Sequence, residues 1–435
     1  MTTTDWSLEG TARRRDRYYA ATQRKFVPFR EPIVFRRGSM QYLWDNEGRK
    51  FIDLLGMNVC ISVGHSHPRV VDAAMQQARD LIHSTTMFYH PVPAHLAEEI
   101  SLTLPRGGGI EWVAHFTSSG AEAVDLALTM ARRHAGVADI IALRSGYHGP
   151  TLGAQSVTGI SGFRHGPGLP GNVVFVADPN QYRGVFGPGV KPYLDDIDRA
   201  IDTATTGRVA GMIVEPVQGY GGIVEMPPGY LSGAAERVRA KGGVLIADEV
   251  QAGFGRTGDN MWGFEADRVI PEIVVMAKGM GNGFPIGAVI AQKHVAEPMG
   301  DKFLFHTYGA NPTSCAASRA VLEVLREDRL QENARKVGES LLAGLRDLQQ
   351  RYQFIGDVRG RGLMLAIELV RDRKTREPDA GTTAAVFEAC REYGLILSKS
   401  GPYRSVLRMV PPLCLSQEDV DSVISGLDAA FRSMK

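Results

Sequence analysis

Residues 242–251 read GGVLIADEVQ and residues 271–279 read PEIVVMAKG. Each is a short apolar run that stops on a charged residue, Asp248 in the first and Lys278 in the second. A strand apolar on both faces belongs in the middle of a parallel sheet covered by helices on either side. A charge at its end is expensive unless an opposite charge meets it or it takes part in chemistry. The same pattern recurs at 140–143 (IIAL), 173–177 (VVFVA), 211–214 (GMIV) and 286–291 (IGAVIA), with helical stretches at 121–134, 194–204 and 230–241 between. Strand–helix alternation of this kind predicts an α/β sheet with helices on both faces.

The last quarter changes character. Val321, Leu322, Leu325, Leu330, Val337, Leu341, Leu342 and Leu345 fall mostly at helical spacing within 319–350. Strand-like pieces follow at 362–370, 395–399 and 406–410, then a helix near 417–432, which predicts a smaller α+β domain. The polar stretch 371–384 reads as a surface loop. We divide the chain into an N-terminal segment, residues 1–60, joined to the small domain; a large domain, 61–329; and a C-terminal small domain, 330–435.

Composition excludes several classes. The chain has 435 residues, with 49 Lys and Arg against 48 Asp and Glu. That balance argues against a nucleic-acid binder or a polybasic membrane binder. No apolar run is long enough to span a bilayer. The N-terminus has no secretory apolar core, and Asp5, Glu9 and Asp16 among its arginines speak against a transit peptide, so a cytoplasmic location is expected. The four cysteines form no CxxC pair. His65 and His67 in GHSHP read as a hydrogen-bonded turn, not a metal site.

Ligands of open α/β sheets sit at the carboxyl ends of the strands. There the sequence puts Glu215 after GMIV, Asp248 after GVLIA and Lys278 after IVVMA. A Lys278–Asp248 ion pair is the plain alternative to a chemical role. Ser119 and Glu122 fit a helix capping box, yet Gly120 opening that helix also makes an anion cup. Tyr147, before His148 and Gly149, is either packing or a plate for a planar ring; His148 and Arg144 read as supporting turn residues. An anion cup, an aromatic plate, a carboxylate and a lysine are what pyridoxal phosphate requires. A nicotinamide cofactor is the rival, but Gly279–Pro285 lacks GxGxxG spacing and leads into a strand.

The segments SSGAEA (118–123), YHG (147–149), EPVQG (215–219), LIADEVQAGFGRTG (245–258), AKGMGNGFPIGA (277–288), TYGANP (307–312) and LRMVPPL (407–413) resemble the class III aminotransferases, from about residue 30 to the C-terminus. FIDLLG, SVGHSHP, STTMFYHP and GDVRGRGLM look most like the branch of alanine–glyoxylate aminotransferase 2 and the ω-amino-acid:pyruvate transaminases, which also holds phospho-lyases. The resemblance implies fold type I, with a mostly parallel seven-stranded sheet, and pyridoxal 5′-phosphate as cofactor. Lys278 would form the Schiff base and shuttle the substrate proton. Asp248 would pair with the pyridinium nitrogen, Val250 pack behind the ring, Gln251 reach its hydroxyl and Tyr147 stack on its front. Gly120 and Ala121 would bind the phosphate, and Thr307 would reach the phosphate of the neighbouring subunit in a homodimer, with tetramers left open. Arg408 would clamp a substrate carboxylate and pair with Glu215 when no second carboxylate is present. Asn58 and Val59 would line the substrate side, where small and polar residues favour short aliphatic donors. Ala121 departs from the Ser or Thr of many relatives, which removes one phosphate contact. The implied activity is amino transfer from alanine, β-alanine, 3-aminoisobutyrate or another ω-amino acid to pyruvate or glyoxylate; the alternative is a lyase that eliminates phosphate from a phosphorylated amino alcohol or hydroxyamino acid.

Overall fold

The computed structural model describes residues 5–166 and 168–434; the first four residues of the N-terminal segment lie outside them. The apolar runs come together in one seven-stranded sheet. From edge to edge its strands are Trp112–Thr117, Gly287–Gln292, Ile273–Met276, Val244–Asp248, Gly211–Val214, Ile140–Leu143 and Val173–Val176. Val244–Asp248 lies parallel to both its neighbours, with Ala247 beside Val214 and Asp248 beside Val275. Gly287–Gln292, expected among the parallel strands, runs antiparallel to both of its own. The connection through residues 277–286 is too short for a parallel crossover, which needs about a dozen residues or more.

Helix Gly120–Ala135 covers one face and buries Ala123, Val124, Ala127, Leu128 and Ala131. It starts at Ser119, whose Oγ accepts from Glu122 N–H at 3.3 Å, and stops at Gly136, whose φ of 68° a side chain would resist. Helices Lys191–Ala204 and Tyr230–Ala240 cover the other face through Tyr193, Ile197, Ile201, Leu231 and Val238.

Beside a two-stranded ribbon of Val217–Gln218 and Val224–Glu225, the described residues build two four-stranded sheets. One is antiparallel, in the order Ile355–Arg361, Met364–Leu369, Val406–Met409, Ser398–Ser400. It places Arg408 between Ala366 and Ser398. Its first strand, not anticipated, carries polar residues at Asp357, Arg359 and Arg361 that hid the pattern. The other sheet joins Phe35–Ser39, Tyr42–Asp45 and Lys50–Asp53 to Leu395–Ile396, so the N-terminal segment is sewn to the C-terminal one. The apolar 319–350 stretch is two helices, Pro312–Glu327 and Leu330–Arg351. The expected loop 371–384 gives way at Ala380 to a helix running to Glu392. Asp379 caps it by accepting from Thr382 N–H at 2.9 Å, and Phe387 anchors it by stacking on Phe29 with ring centres 4.5 Å apart.

Candidate active site

Adjacent strand ends bring Glu215, Asp248 and Lys278 to one crevice, and the next strand, Ile140–Leu143, feeds Tyr147 and His148 into it. Asp248 and Glu215 are buried; Lys278 keeps some exposure. Among the described residues Asp248 is paired with His148, not with Lys278. Its Oδ2 accepts from His148 Nδ1 at 2.7 Å, and its Oδ1 accepts from Val250 N–H at 3.1 Å. Burial disfavours the His148 cation, but the hydrogen bond and charge of Asp248, with Glu215 beyond, outweigh it and raise the imidazole pKa. The ring lies over Gly146, where a Cβ would come within 2.9 Å of Nε2. His148 is therefore more than a turn residue. The signal was present: a histidine ending the strand two places from that of Asp248, facing a carboxylate that burial obliges to find a donor.

Lys278 has φ of 47°, in the left-handed region that costs a side-chain residue about 1 kcal/mol or more. Met57, Asn58 and Val59 share that region at 44°, 61° and 68°. The loop they form packs on the lysine turn: Ser62 Oγ donates to Gly279 O at 2.6 Å, and Asn282 Oδ1 accepts from the N–H groups of Ser62 and Val63. Burial lowers the Lys278 pKa and the Arg408 cation adds to that, with Cys60, Asp248 and Glu215 opposing. Of the two loop residues expected on the substrate side, Asn58 is exposed. Val59 is instead buried in an apolar cluster with Val217, Ile223, Met364 and Val406.

The anion cup is formed at the start of helix Gly120–Ala135. Glu122 turns back and accepts from Ser118 N–H at 2.8 Å, while Ala123 N–H bonds to Ser119 O. Among the described residues the N–H groups of Gly120 and Ala121 remain as the free donors of this turn, beside the positive end of the helix dipole. A Cβ on Gly120 would lie 3.2 Å from Ala277 Cβ and 3.3 Å from Val250 Cγ2. The cup thus adjoins the residue before Lys278 and the residue two after Asp248. A phosphate in the cup, a ring over Val250 and an aldehyde at Lys278 suit pyridoxal 5′-phosphate. Thr307 is exposed beside the outer edge strand, with His306 bonded to His115 at 3.1 Å.

On the substrate side a bridge stands in place of the expected Arg408–Glu215 pair. Arg408 Nη1 donates to Gln251 Oε1 at 3.1 Å, and Gln251 Nε2 donates to Glu215 Oε2 at 3.4 Å. The oxygens of Glu215 also accept from the N–H groups of Tyr147 (3.0 Å) and Gly219 (2.9 Å). Gln251 is packed against Gly219 and lies between the two charges. Arg408 Nε also donates to Ser398 Oγ at 3.1 Å, and its guanidinium lies 5.8 Å from the Tyr220 ring. Tyr220, which the sequence did not single out, sits 5.8 Å from the ring of Tyr147. Burial pushes the Glu215 carboxyl up to about 7 and brings the Arg408 guanidinium down to about 10.

The family model for class-III aminotransferases matches residues 25–431. The chain is 42% identical over 409 residues to an Arabidopsis thaliana mitochondrial alanine–glyoxylate aminotransferase 2 homolog, covering 94% of this chain and 85% of that protein. It resembles the structure of an Arthrobacter phospholyase in complex with phosphoethanolamine, with 33% identity, a TM-score of 0.89 and coverage of 98% and 100%. It also resembles a PLP-bound amine transaminase from an uncultivated Pseudomonas species, with 31% identity, a TM-score of 0.87 and coverage of 96% and 97%.

The His148–Asp248 contact gives a prediction. Losing a charge-assisted hydrogen bond in a buried pair is worth about 1.5–3 kcal/mol. The substitution His148→Phe should therefore weaken retention of pyridoxal 5′-phosphate roughly tenfold to a hundredfold, measured by equilibrium dialysis. Retention within twofold of wild type would show that Asp248 does not need the imidazole.

Proposed function

The chain belongs to the class III aminotransferases, and from that premise we propose that it moves an amino group from a small amino acid to pyruvate or glyoxylate in a ping-pong cycle. One observation carries the reading: a partly exposed lysine without a carboxylate partner shares its crevice with a histidine-braced Asp248, within reach of the Arg408–Gln251–Glu215 bridge. Pyridoxal 5′-phosphate, when bound, supplies an aldehyde and an electron-withdrawing ring. Gly120 and Ala121 would hold its phosphate, Asp248 its ring nitrogen, and Tyr147 and Val250 its two faces. Lys278 Nζ would attach it at rest and then move the proton at the substrate α-carbon, a base role that its lowered pKa favours.

Arg408 would receive the substrate carboxylate, displacing Gln251 Oε1 from its guanidinium. Glu215 sits one side chain further on, so its ionisation changes the charge that an incoming anion meets. The small or polar residues Asn58 and Cys60 favour short donors such as alanine, β-alanine or 3-aminoisobutyrate. The likeness to the phospholyase supports a second reading, elimination of phosphate from a phosphorylated amino alcohol by the same lysine.

We propose also that the active form is a homodimer. Met87, Phe88 and Tyr89 are 73%, 70% and 105% exposed, and Phe303 and Tyr308 are 107% and 66%. Tyr308 lies 5.1 Å from the ring of His83, and Asn311 donates to Ile82 O, so the two stretches form one apolar face. A patch of this kind marks an interface in a folded protein. A second copy seated there would bring Thr307 toward the neighbouring phosphate cup.

These readings are open to direct measurement. The absorbance of the bound cofactor should change on adding L-alanine or β-alanine and return with pyruvate or glyoxylate, and Lys278→Ala should abolish the change. Phosphate released from phosphoethanolamine, with no absorbance change from any amino acid, would move the assignment to the lyase. Sedimentation should give a dimer, and Thr307→Ala should weaken cofactor retention about tenfold; a monomer of full activity would exclude the shared site. Glu215 is raised above its ordinary value, so it is neutral below about pH 7 and anionic above it. The KM for pyruvate should accordingly rise severalfold as pH climbs from about 6 to about 8, and Glu215→Gln should flatten the rise; an unchanged slope in that variant would remove Glu215 from the switch.

A further inference from the structure

The GFGRTG stretch, residues 253–258, contains a second buried guanidinium that the proposed reaction does not use. Arg256 is 2% exposed. Among the described residues no carboxylate lies within ion-pair distance of either Arg256 or Arg408. Arg256 is met instead by two backbone carbonyls: Nη1 donates to Leu363 O at 3.0 Å and to Pro411 O at 2.8 Å. Its own carbonyl accepts from Leu363 N–H at 3.0 Å. Burial, and then the Arg408 cation, push its pKa down to about 9. The two peptide carbonyls, with the Asp53 charge beyond them, offset part of that cost.

The two carbonyls have a meaning in the fold. Leu363 immediately precedes strand Met364–Leu369, and Pro411 lies two residues beyond strand Val406–Met409. These strands pair with each other, with Ala366 beside Arg408. Arg256 therefore grips both at the same end. The loop that supplies Arg256 also supplies Gln251, which receives Arg408 Nη1. The result is a closed circuit: Gln251 to Arg256 along the loop, Arg256 to Pro411 through the guanidinium, Pro411 back to Arg408 along the strand, and Arg408 to Gln251 across the site. The packing has little slack. A Cβ on Gly362 would lie 2.4 Å from Arg256 O and 2.5 Å from Thr257 C.

We infer that Arg256 is a positioning residue for Arg408: by pinning the strand that bears Arg408 to the loop that bears Gln251, it sets how Arg408 presents its guanidinium to a substrate carboxylate. The inference rests on the reading of Arg408 as the carboxylate-binding group. Both bonds come from Nη1; lysine keeps the charge at position 256, but its ammonium, on a shorter stem, stops short of the place Nη1 holds between the two carbonyls.

The test is a double-mutant cycle on the holoenzyme with pyruvate as the probe, its dissociation constant read from the cofactor absorbance and independently from thermal melting. Arg256→Lys should weaken pyruvate about tenfold while cofactor retention stays within about twofold. Arg408→Lys should weaken it at least as much, and the double variant should bind no worse than Arg408→Lys alone, because the effect of Arg256 passes through Arg408. A loss in Arg408→Lys with none in Arg256→Lys overturns the inference, as do losses that multiply in the double variant. No loss in Arg408→Lys overturns the reading of Arg408 itself, and the inference with it. If Arg256→Lys does not fold, Arg256→Gln, which removes the buried charge and cannot hold both carbonyls as the guanidinium does, should give the same selective loss; normal pyruvate affinity in that variant overturns the inference.

Discussion

A carboxylate at the end of a wholly buried strand is the constraint around which this protein is arranged. Asp248 cannot sit there alone, because desolvation of an unpaired charge costs several kcal/mol. His148 meets it at 2.7 Å from beyond the end of the strand two places away, and the glycine at 146 makes room for the ring. Lys278 is thereby left free of the obvious counter-charge and available for chemistry. Burial, with the Asp248 charge adding to it, keeps the proton of Glu215, one strand further on, to about pH 7, against the pull of two backbone N–H groups and the nearby His148. Among the described residues the three ionisable groups on neighbouring strands are thus met differently: Asp248 by an imidazole, Lys278 by no carboxylate within ion-pair distance, and Glu215 by the main chain and Gln251.

The elements most legible in the sequence were those whose local pattern and final environment agree. The strands ending at Leu143, Val214, Asp248 and Met276 are buried on both faces and read as such. Glu215, Asp248 and Lys278 were visible because a charge at the end of such a run is an anomaly that needs a cause. Strand direction was less visible: Gly287–Gln292 is as apolar as its parallel neighbours, and only the short connection before it reveals the reversal. Strand Ile355–Arg361 was hidden because its arginines and aspartate point at ion-pair partners, with Arg359 bonded to both Asp357 and Glu368. The Gln251 bridge was out of reach altogether. It depends on the distance between two separate sheets, which no run of residues encodes.

Met57, Asn58 and Val59 in succession, then Lys278 and Asn282, are among the residues that hold left-handed backbone without being glycine. The loop and the lysine turn are tied to each other: Ser62 to Gly279, Asn282 to the Ser62–Val63 turn and to Gly64 O. Conformations that cost about 1–3 kcal/mol each survive only where the surroundings over-determine them. Here the surroundings are the large sheet on one side and the small antiparallel sheet on the other, so the lysine turn is as rigid as the junction between them.

The pairing of Lys50–Asp53 with Leu395–Ile396 has a consequence for how the molecule comes into being. Synthesis proceeds at about 5–20 residues per second. The early strand therefore waits on the order of tens of seconds on the ribosome for a partner more than three hundred residues downstream. Meanwhile every strand of the large sheet has emerged, and with it the lysine, the aspartate and the phosphate cup. Arg408 follows on a later strand, Val406–Met409. A nascent chain can thus hold Gly120, Asp248 and Lys278 together before the guanidinium that Gln251 bonds has joined them.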